Sequence, residues 1–220
     1  MKTFCVIPAY NEEQTIEKVL SEVMPEVDGV VVVDDGSSDR TFDLAQREGA
    51  AALRHKINRG QGAALETGNQ YAIKNEADII VHFDADGQFS ASEIKDLVEP
   101  IKSGRADMVF GSRFLGKKSN IPWFKKYIIL PLARLVNRIF LGVNLTDPQS
   151  GFRAMSREAA GKIKIENDGM AHASEILAKT FKSGLKIEEV PITVIYHDFG
   201  QRFSGGVKII KDLILTKLSQ

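Results

Sequence analysis

The chain has 220 residues, of which 43% are hydrophobic and 26% charged, as in an ordinary folded globular protein, and this composition argues against disorder. Its 29 basic residues balance its 29 acidic residues, so nucleic-acid binding is not expected. The single cysteine, Cys5, excludes an intrachain disulfide framework, and the sequence shows neither a signal peptide nor a run of roughly 18 apolar residues, so we expect an intracellular protein without a membrane span.

The first half of the sequence alternates short apolar runs with helical patterns. Asn11 and Ser38 are predicted to be N-caps, and Pro25 is predicted to end the first helix. Strands are predicted over residues 4–7, 29–33, 51–54, 78–83 and 108–110, with helices over residues 11–24, 38–49, 62–74 and 92–102. This alternation predicts an α/β fold with a mostly parallel sheet flanked by helices, in which ligands bind beyond the carboxyl ends of the strands.

The second half has a different pattern. We predict a helix over residues 121–141, a loop over 146–153, a helix over 173–182, a strand over 187–196 and a closing helix over 207–218. The first and last of these helices combine apolar and aromatic side chains with lysines and arginines, which is typical of amphipathic helices at a membrane surface. Covering the sheet and forming a homodimer contact are the alternatives for both helices.

The strongest local motif is Asp-Ala-Asp-Gly-Gln at residues 84–88, directly after a predicted strand. If the chain stays extended, side chains two residues apart point the same way, and Asp84, Asp86 and Gln88 converge. Carboxylate and amide oxygens are hard ligands that suit Mg²⁺ or Mn²⁺. The alternative is an ordinary turn that caps the next helix.

A second acidic pair, Asp34 and Asp35, ends another predicted strand and suggests binding of a base or a ribose. The alternative is again a turn, with Gly36 as its turn residue and a cap at Ser38 or Asp39. The first strand-to-helix turn contains no glycine, and no loop ends in Gly-Lys-Ser or Gly-Lys-Thr. Nicotinamide chemistry and P-loop hydrolysis are therefore not expected.

Taken together, the motifs resemble family 2 glycosyltransferases of the GT-A fold. They are residues 6–13 (Val-Ile-Pro-Ala-Tyr-Asn-Glu-Glu), 32–39 (Val-Val-Asp-Asp-Gly-Ser-Ser-Asp), 58–62 (Asn-Arg-Gly-Gln-Gly), 84–88 and 111–113 (Gly-Ser-Arg). Residues 147–153 (Asp-Pro-Gln-Ser-Gly-Phe-Arg) and 196–206 narrow the resemblance to polyprenyl-phosphate glycosyltransferases of the dolichol-phosphate mannose synthase type. The resemblance implies a single domain over residues 1–220, with a nucleotide-sugar-binding half (1–114) and an acceptor-binding half (115–220).

The resemblance also implies roles for individual residues. Pro8, Tyr10, Glu12 and Asp35, with Asp34 and Gly62 beside them, are expected to bind the donor. Asp84 would assist the diphosphate and the metal, Asp86 and Gln88 would ligate Mg²⁺ or Mn²⁺, and Arg113, Arg153 and Arg202 would contact phosphates or the sugar. Of these, Asp84, Asp86, Arg113 and Arg202 are the candidate catalytic residues.

The implied reaction is an inverting, metal-dependent transfer from a nucleotide-sugar to a polyprenyl or dolichyl phosphate, at the cytoplasmic face of a membrane. GDP-mannose is the first candidate donor and UDP-glucose the second. An ionised lipid phosphate needs no general base, whereas a sugar hydroxyl would need one, for which Glu175 is the candidate. His55, His172 and His197 are expected to be surface or packing residues.

Two further classes of protein are alternatives. Residues 81–87 also resemble the nucleophile strand of haloacid-dehalogenase-type phosphatases, in which Asp84 would attack phosphate. That strand normally begins its domain, whereas here it is the fourth, and Gln88 replaces the usual Thr or Val. A nucleotide-sugar-binding protein without catalysis is the other alternative.

Overall fold

The computed structural model describes residues 1–115 and 145–195. Its strands are β1 (Thr3–Ala9), β2 (Gly29–Asp34), β3 (Ala51–Arg54), β4 (Ile79–His82), β5 (Met108–Ser112), β6 (Arg153–Ser156) and β7 (Ile187–Pro191). Its helices are α1 (Ile16–Val23), α2 (Thr41–Arg47), α3 (Gln61–Lys74), α4 (Ile94–Lys102), α5 (Arg157–Lys162) and α6 (His172–Lys182). The predicted helices over 121–141 and 207–218, the loop over 196–206 and Arg202 lie outside the described residues.

The strands form one seven-stranded sheet in the order β3-β2-β1-β4-β6-β5-β7. All neighbouring strands are parallel except β6, which pairs antiparallel with both β4 and β5. The predicted mostly parallel α/β sheet is therefore confirmed, although neither β6 nor the short helix α5 that follows it is predicted from the sequence. Among the helices of residues 1–115 and 145–195, none is long and apolar enough to cross a bilayer.

The central strands are buried on both faces, which explains their nearly continuous apolar sequence. All seven residues of β1 are buried, and its alternate side chains enter two separate cores. Cys5 and Ile7 pack in the core on one face, whereas Phe4 and Val6 pack in the core on the other. Fully burying an aliphatic side chain of this size contributes about 1.5–3 kcal/mol, so these strands supply much of the stability of the sheet.

The predicted N-caps at Asn11 and Ser38 are wrong, because α1 begins at Ile16 and α2 at Thr41. Asn11 has a positive φ of 57°, and its side-chain Oδ1 accepts a hydrogen bond from the amide of Ser38 at 2.9 Å. In return, the Asn11 amide donates to Oγ of Ser37 at 2.9 Å. These polar groups therefore connect the loops after β1 and β2 across the carboxyl edge of the sheet.

The predicted strand over 187–196 is also too long, because β7 ends at Pro191. Beyond it, Val194 forms only an isolated antiparallel bridge with Phe89, and the amide of Ile195 donates to the carbonyl of Gln88 at 2.9 Å. The chain after β7 thus leaves the edge of the sheet and packs against the loop that follows β4.

Candidate active site

A cleft of about 320 Å³ opens at the carboxyl ends of β1, β2 and β4, where the α/β rule places a ligand. Several predicted site residues line it together, namely Pro8, Tyr10, Glu12, Asp35, Asp84 and Asp86. The remaining wall consists of Ala9, Asn58, Gly60, Gln61, Ala64 and Ala85. Of this second group, Asn58, Gly60 and Gln61 belong to the motif at residues 58–62 that contributes to the family resemblance. No role for them is predicted from the sequence.

The chain turns after β4 instead of remaining extended. Gly87 has a φ of 70°, and the amide of Gln88 donates to Asp86 Oδ1 at 3.0 Å. The expected extended geometry is therefore wrong, yet Asp84 and Asp86 still line the same cleft. Gln88 does not line the cleft, so its assignment as a metal ligand remains a prediction.

Asp84 is held between two neighbouring segments. Its Oδ1 accepts a hydrogen bond from Gln61 Nε2 at 3.0 Å. Its Oδ2 lies so close to Gly151 that a Cβ atom at that position would come within 2.5 Å of it. The position of the Asp84 carboxylate therefore depends on glycine at 151.

The cleft concentrates negative charge. Burial, followed by the neighbouring charge of Asp86, raises the pKa of Asp84 to about 6. Burial also raises the pKa of Glu12, and the charge of Asp86 acts in the same direction. A divalent cation would relieve this repulsion, so the donor set fits Mg²⁺ or Mn²⁺.

Within the described ranges, no three His, Cys, Asp or Glu side chains form a cluster that could hold a metal ion by themselves. Mg²⁺ commonly binds through one or two carboxylates and completes its coordination with water and substrate phosphates. Asp84 and Asp86 therefore suit a cation that is shared with a bound diphosphate.

Asp35 lines the cleft and holds the loop of residues 55–60 that forms part of its wall. Its Oδ1 lies 2.7 Å from His55 Nδ1 and accepts from the amide of Arg59 at 3.0 Å, and its Oδ2 accepts from the amide of Gly60 at 2.6 Å. Asp34 differs, because it is fully buried, accepts from the Ser37 amide and pairs with Arg54 at 3.0 Å. Asp35 is buried as well, but of the two aspartates it is the one that contributes to the cleft lining.

Arg113 does not line the described cleft, and it pairs with Asp147. Its Nε and Nη2 donate to the two oxygens of Asp147 at 2.6 and 2.7 Å. The segment is fixed in turn by Glu189, which accepts hydrogen bonds from the amides of Thr146 and Asp147. A bidentate arginine–carboxylate pair of this kind orders the chain around it.

Arg153 is the first residue of β6 and is buried, with only 2% of its surface exposed. Burial lowers the pKa of Arg153 to about 10, although the negative charge of Asp84 acts to raise it. His172 is also buried, and burial together with Arg153 lowers its pKa to about 4. Of the two alternatives expected for His172, a surface or a packing residue, the structure shows the packing one. Arg153 supplies positive charge close to Asp84.

Gly62 does not line the cleft but allows close packing beside it. Its amide donates to the carbonyl of Asp168 at 2.9 Å, and a Cβ atom there would collide with the carbonyl of Asn167. Glu175 fixes this same segment, since its carboxylate accepts from the amides of Glu166 and Asn167. Partial burial raises the pKa of Glu175, but hydrogen bonds from Lys179 and from these two amides lower it, and the net shift is downward. Glu175 is thus placed as a structural residue.

Comparisons with known proteins agree with this arrangement. Residues 4–164 match the model of glycosyl transferase family 2. A UDP-N-acetylglucosamine–dolichyl-phosphate N-acetylglucosaminyltransferase of Methanococcus voltae is 32% identical over 99% of this chain and 96% of that protein. An undecaprenyl-phosphate mannosyltransferase of Micrococcus luteus is 34% identical over 94% of this chain and 89% of its own length.

A solved structure gives the same fold. Glucosyl-3-phosphoglycerate synthase from Mycobacterium tuberculosis, in complex with Mn²⁺, UDP-glucose and phosphoglyceric acid, matches with a TM-score of 0.76 at 26% identity, covering 99% of this chain and 79% of that one. The same synthase has also been crystallised with Mg²⁺ and UDP. The chain therefore belongs to glycosyl transferase family 2 and is a glycosyltransferase of the GT-A fold that resembles dolichol-phosphate mannose synthases.

Proposed function

We propose that the protein transfers a sugar from a nucleoside-diphosphate donor to a polyprenyl phosphate, with Mg²⁺ or Mn²⁺ as cofactor. The observation that carries this proposal is the convergence of Asp84 and Asp86 in one cleft with Pro8, Tyr10 and Asp35. In this arrangement Pro8, Tyr10 and Asp35 would bind the nucleoside, and the carboxylates of Asp84 and Asp86 would bind the cation. The relatives from Methanococcus voltae and Micrococcus luteus, which are named for lipid-phosphate acceptors, support the acceptor class.

The donor would bind with its nucleoside between Tyr10 and Asp35 and its diphosphate near Asp84 and Asp86. The bound cation supplies Lewis-acid stabilisation of the negative charge that develops on the leaving diphosphate. The carboxylates of Asp84 and Asp86 would hold this cation, and Arg153 would limit the build-up of negative charge around Asp84. Attack from the face opposite the leaving group would invert the configuration of the sugar carbon.

The position of Glu175 favours a phosphate acceptor over a hydroxyl acceptor. A hydroxyl nucleophile needs a general base, and the candidate from the sequence already binds two backbone amides and Lys179. A lipid phosphate is ionised at neutral pH and needs only cations to hold it. We assign this role to Arg153 and Arg202 in the second half of the chain, residues 115–220, and to Arg113 at the end of the first half.

A membrane-embedded acceptor requires the enzyme to reach a bilayer. We propose peripheral attachment at the cytoplasmic face through the amphipathic sequences at 121–141 and 207–218. These residues lie outside the described ranges, so this part of the proposal rests on the sequence pattern alone.

The test is a transfer assay with three labelled donors, GDP-mannose, UDP-glucose and UDP-N-acetylglucosamine. Each is incubated with Mg²⁺ or Mn²⁺ and a polyprenyl phosphate, and label is counted in the lipid phase. The matched control replaces the polyprenyl phosphate by the corresponding polyprenol, which presents a hydroxyl to the same site. Label in the phosphate reaction alone supports the proposal, whereas equal labelling of the alcohol, or release of phosphate without labelled lipid, contradicts it.

A further inference from the structure

One wall of the cleft is formed by the loop of residues 55–60. Asn58 and Gly60 contribute to the cleft lining, while the apolar side chain of Ile57 is 70% exposed. Asp35 holds this loop from beneath, since its carboxylate accepts hydrogen bonds from the amides of Arg59 and Gly60. The shape of this wall therefore depends on where the Asp35 carboxylate is held.

The Asp35 carboxylate is connected to helix α3 through an imidazole ring. His55 Nδ1 lies 2.7 Å from Asp35 Oδ1, and its Nε2 lies 2.9 Å from Thr67 Oγ1 on the helix. Thr67 is fixed in turn, because its hydroxyl is 2.9 Å from the carbonyl of Ala63. The side chains of His55 and Asp35 are only 10% and 5% exposed, and hydrogen bonds are stronger in such surroundings than in water.

These contacts restrict the movement of the Asp35 carboxylate. Each carboxylate oxygen can accept two hydrogen bonds. In Asp35, Oδ1 contacts His55 and the amide of Arg59, and Oδ2 accepts from the amide of Gly60. His55 itself is not part of the wall of the cleft that contains Asp84 and Asp86; it lines a second cavity, of about 370 Å³, with Gly36, Ser37, Arg54 and Lys56. For a nucleotide bound in the cleft, the effect of His55 would therefore pass through Asp35 and the loop.

We propose that His55 is a positioning residue for the donor nucleotide. By linking Asp35 to α3, it orients the carboxylate so that the amides of Arg59 and Gly60 hold the loop in its binding conformation. The inference rests on the proposed function, because it takes the ligand of this cleft to be a nucleoside diphosphate. His55 affects how tightly the nucleotide binds and does not take part in the chemical step.

The first test compares His55→Ala with His55→Asn, whose side-chain amide can replace the Nδ1 contact to Asp35. Dissociation constants for UDP and GDP are measured by calorimetry in Mg²⁺, and KM for the donor and kcat are measured with the sugar that the wild type accepts. We expect His55→Ala to weaken nucleotide binding and raise KM at least tenfold, or about 1.4 kcal/mol, with kcat within threefold of wild type. His55→Asn should recover the part of the loss that comes from the Nδ1 contact; because it cannot reach Thr67, it should bind the nucleotide about as well as Thr67→Val does.

The second test removes the far end of the connection. Thr67→Val should weaken nucleotide binding three- to tenfold, because His55 loses its anchor on α3. The matched control is Thr180→Val, since the buried Thr180 hydroxyl makes the same type of bond, to the carbonyl of Ile176 at 2.7 Å, and has no hydrogen bond to a histidine among residues 1–115 and 145–195. Both variants lose one helix-backbone hydrogen bond, so a general loss of stability would affect them alike.

Hydrogen exchange separates positioning from a merely structural effect. The amides of Arg59 and Gly60 should exchange faster in His55→Ala than in wild type, and His55→Asn should restore their protection. The inference is overturned if folded His55→Ala binds the nucleotide with native affinity, if His55→Asn is no better than alanine, or if Thr67→Val and Thr180→Val behave alike. If wild type binds neither UDP nor GDP, the proposed function fails first, and this inference fails with it.

Discussion

Replacing Asp84 by asparagine should stabilise the metal-free protein while reducing its activity. Burial and the charge of Asp86 raise the pKa of Asp84 from an ordinary 3.8 to about 6, so the ionised carboxylate is less favourable in the folded chain than in the unfolded one. A difference of about 2.2 pKa units corresponds to an upper bound of about 3 kcal/mol. Part of the carboxylate faces the open cleft, where solvent screens it, so we expect a gain of about 1–3 kcal/mol.

The pH dependence of this gain has a defined sign. Because the pKa in the folded state is the higher one, the penalty is complete above pH 6 and absent below pH 3.8. The stability advantage of Asp84→Asn should thus be largest at pH 7.5, fall to about half near pH 5 and disappear near pH 4. Urea denaturation in a chelator at these pH values measures it.

Two additions make the experiment decisive. Mg²⁺ should stabilise wild type more than Asp84→Asn, because the carboxylate that binds the cation is lost in the variant. As a control of opposite sign, Asp147→Asn should destabilise the protein by about 1–3 kcal/mol, since it breaks the pair between the buried Asp147 and Arg113, whose side chain is 20% exposed and partly screened by solvent. A variant Asp84→Asn that is less stable than wild type at pH 7.5, or whose advantage does not change with pH, would refute the electrostatic reasoning.

Three further predictions concern the cation, the membrane and acid stability. Asp86→Asn should lower transfer at least a hundredfold, or about 2.7 kcal/mol of barrier, and undiminished turnover in excess chelator would rule out metal dependence. The protein should sediment with anionic liposomes through residues 121–141 and 207–218 and be released by salt; failure to bind at low salt would argue against attachment. The pKa of His172 falls from 6.5 to about 4, so up to about 3.4 kcal/mol of stability should be lost as pH decreases through that window. His172→Gln should make the stability curve flatter there, which denaturation at several pH values would detect.

The strands of the first half and the position of the cleft could be predicted from local sequence. The apolar run of β1 and the polar residues that follow β1, β2 and β4 already indicate buried parallel strands with a site at their carboxyl edge. Those signals are local, since each depends on a few consecutive residues. They identify which loops meet but not how individual side chains in those loops are used.

The remaining features depend on contacts between distant residues. Asp34 and Asp35 are chemically identical neighbours, and only the structure shows that one pairs with Arg54 inside the protein while the other faces the cleft. The bidentate partner of Arg113 is 34 residues away along the chain. β6 is a four-residue strand whose pairing is entirely non-local, so no pattern within it distinguishes it from a loop.

The placement of β6 limits where this chain can be divided. β5 is hydrogen-bonded to β6 and β7, and within the described sheet it has no strand neighbour from the first 114 residues. A fragment that ends at residue 114 would therefore contain β5 without either partner and would leave one edge of β4 open. Unpaired edges of this kind favour association between chains. The residues before and after position 114 thus contribute strands to one sheet, and the sheet reaches its full width only after the segment containing β6 and β7 has been synthesised.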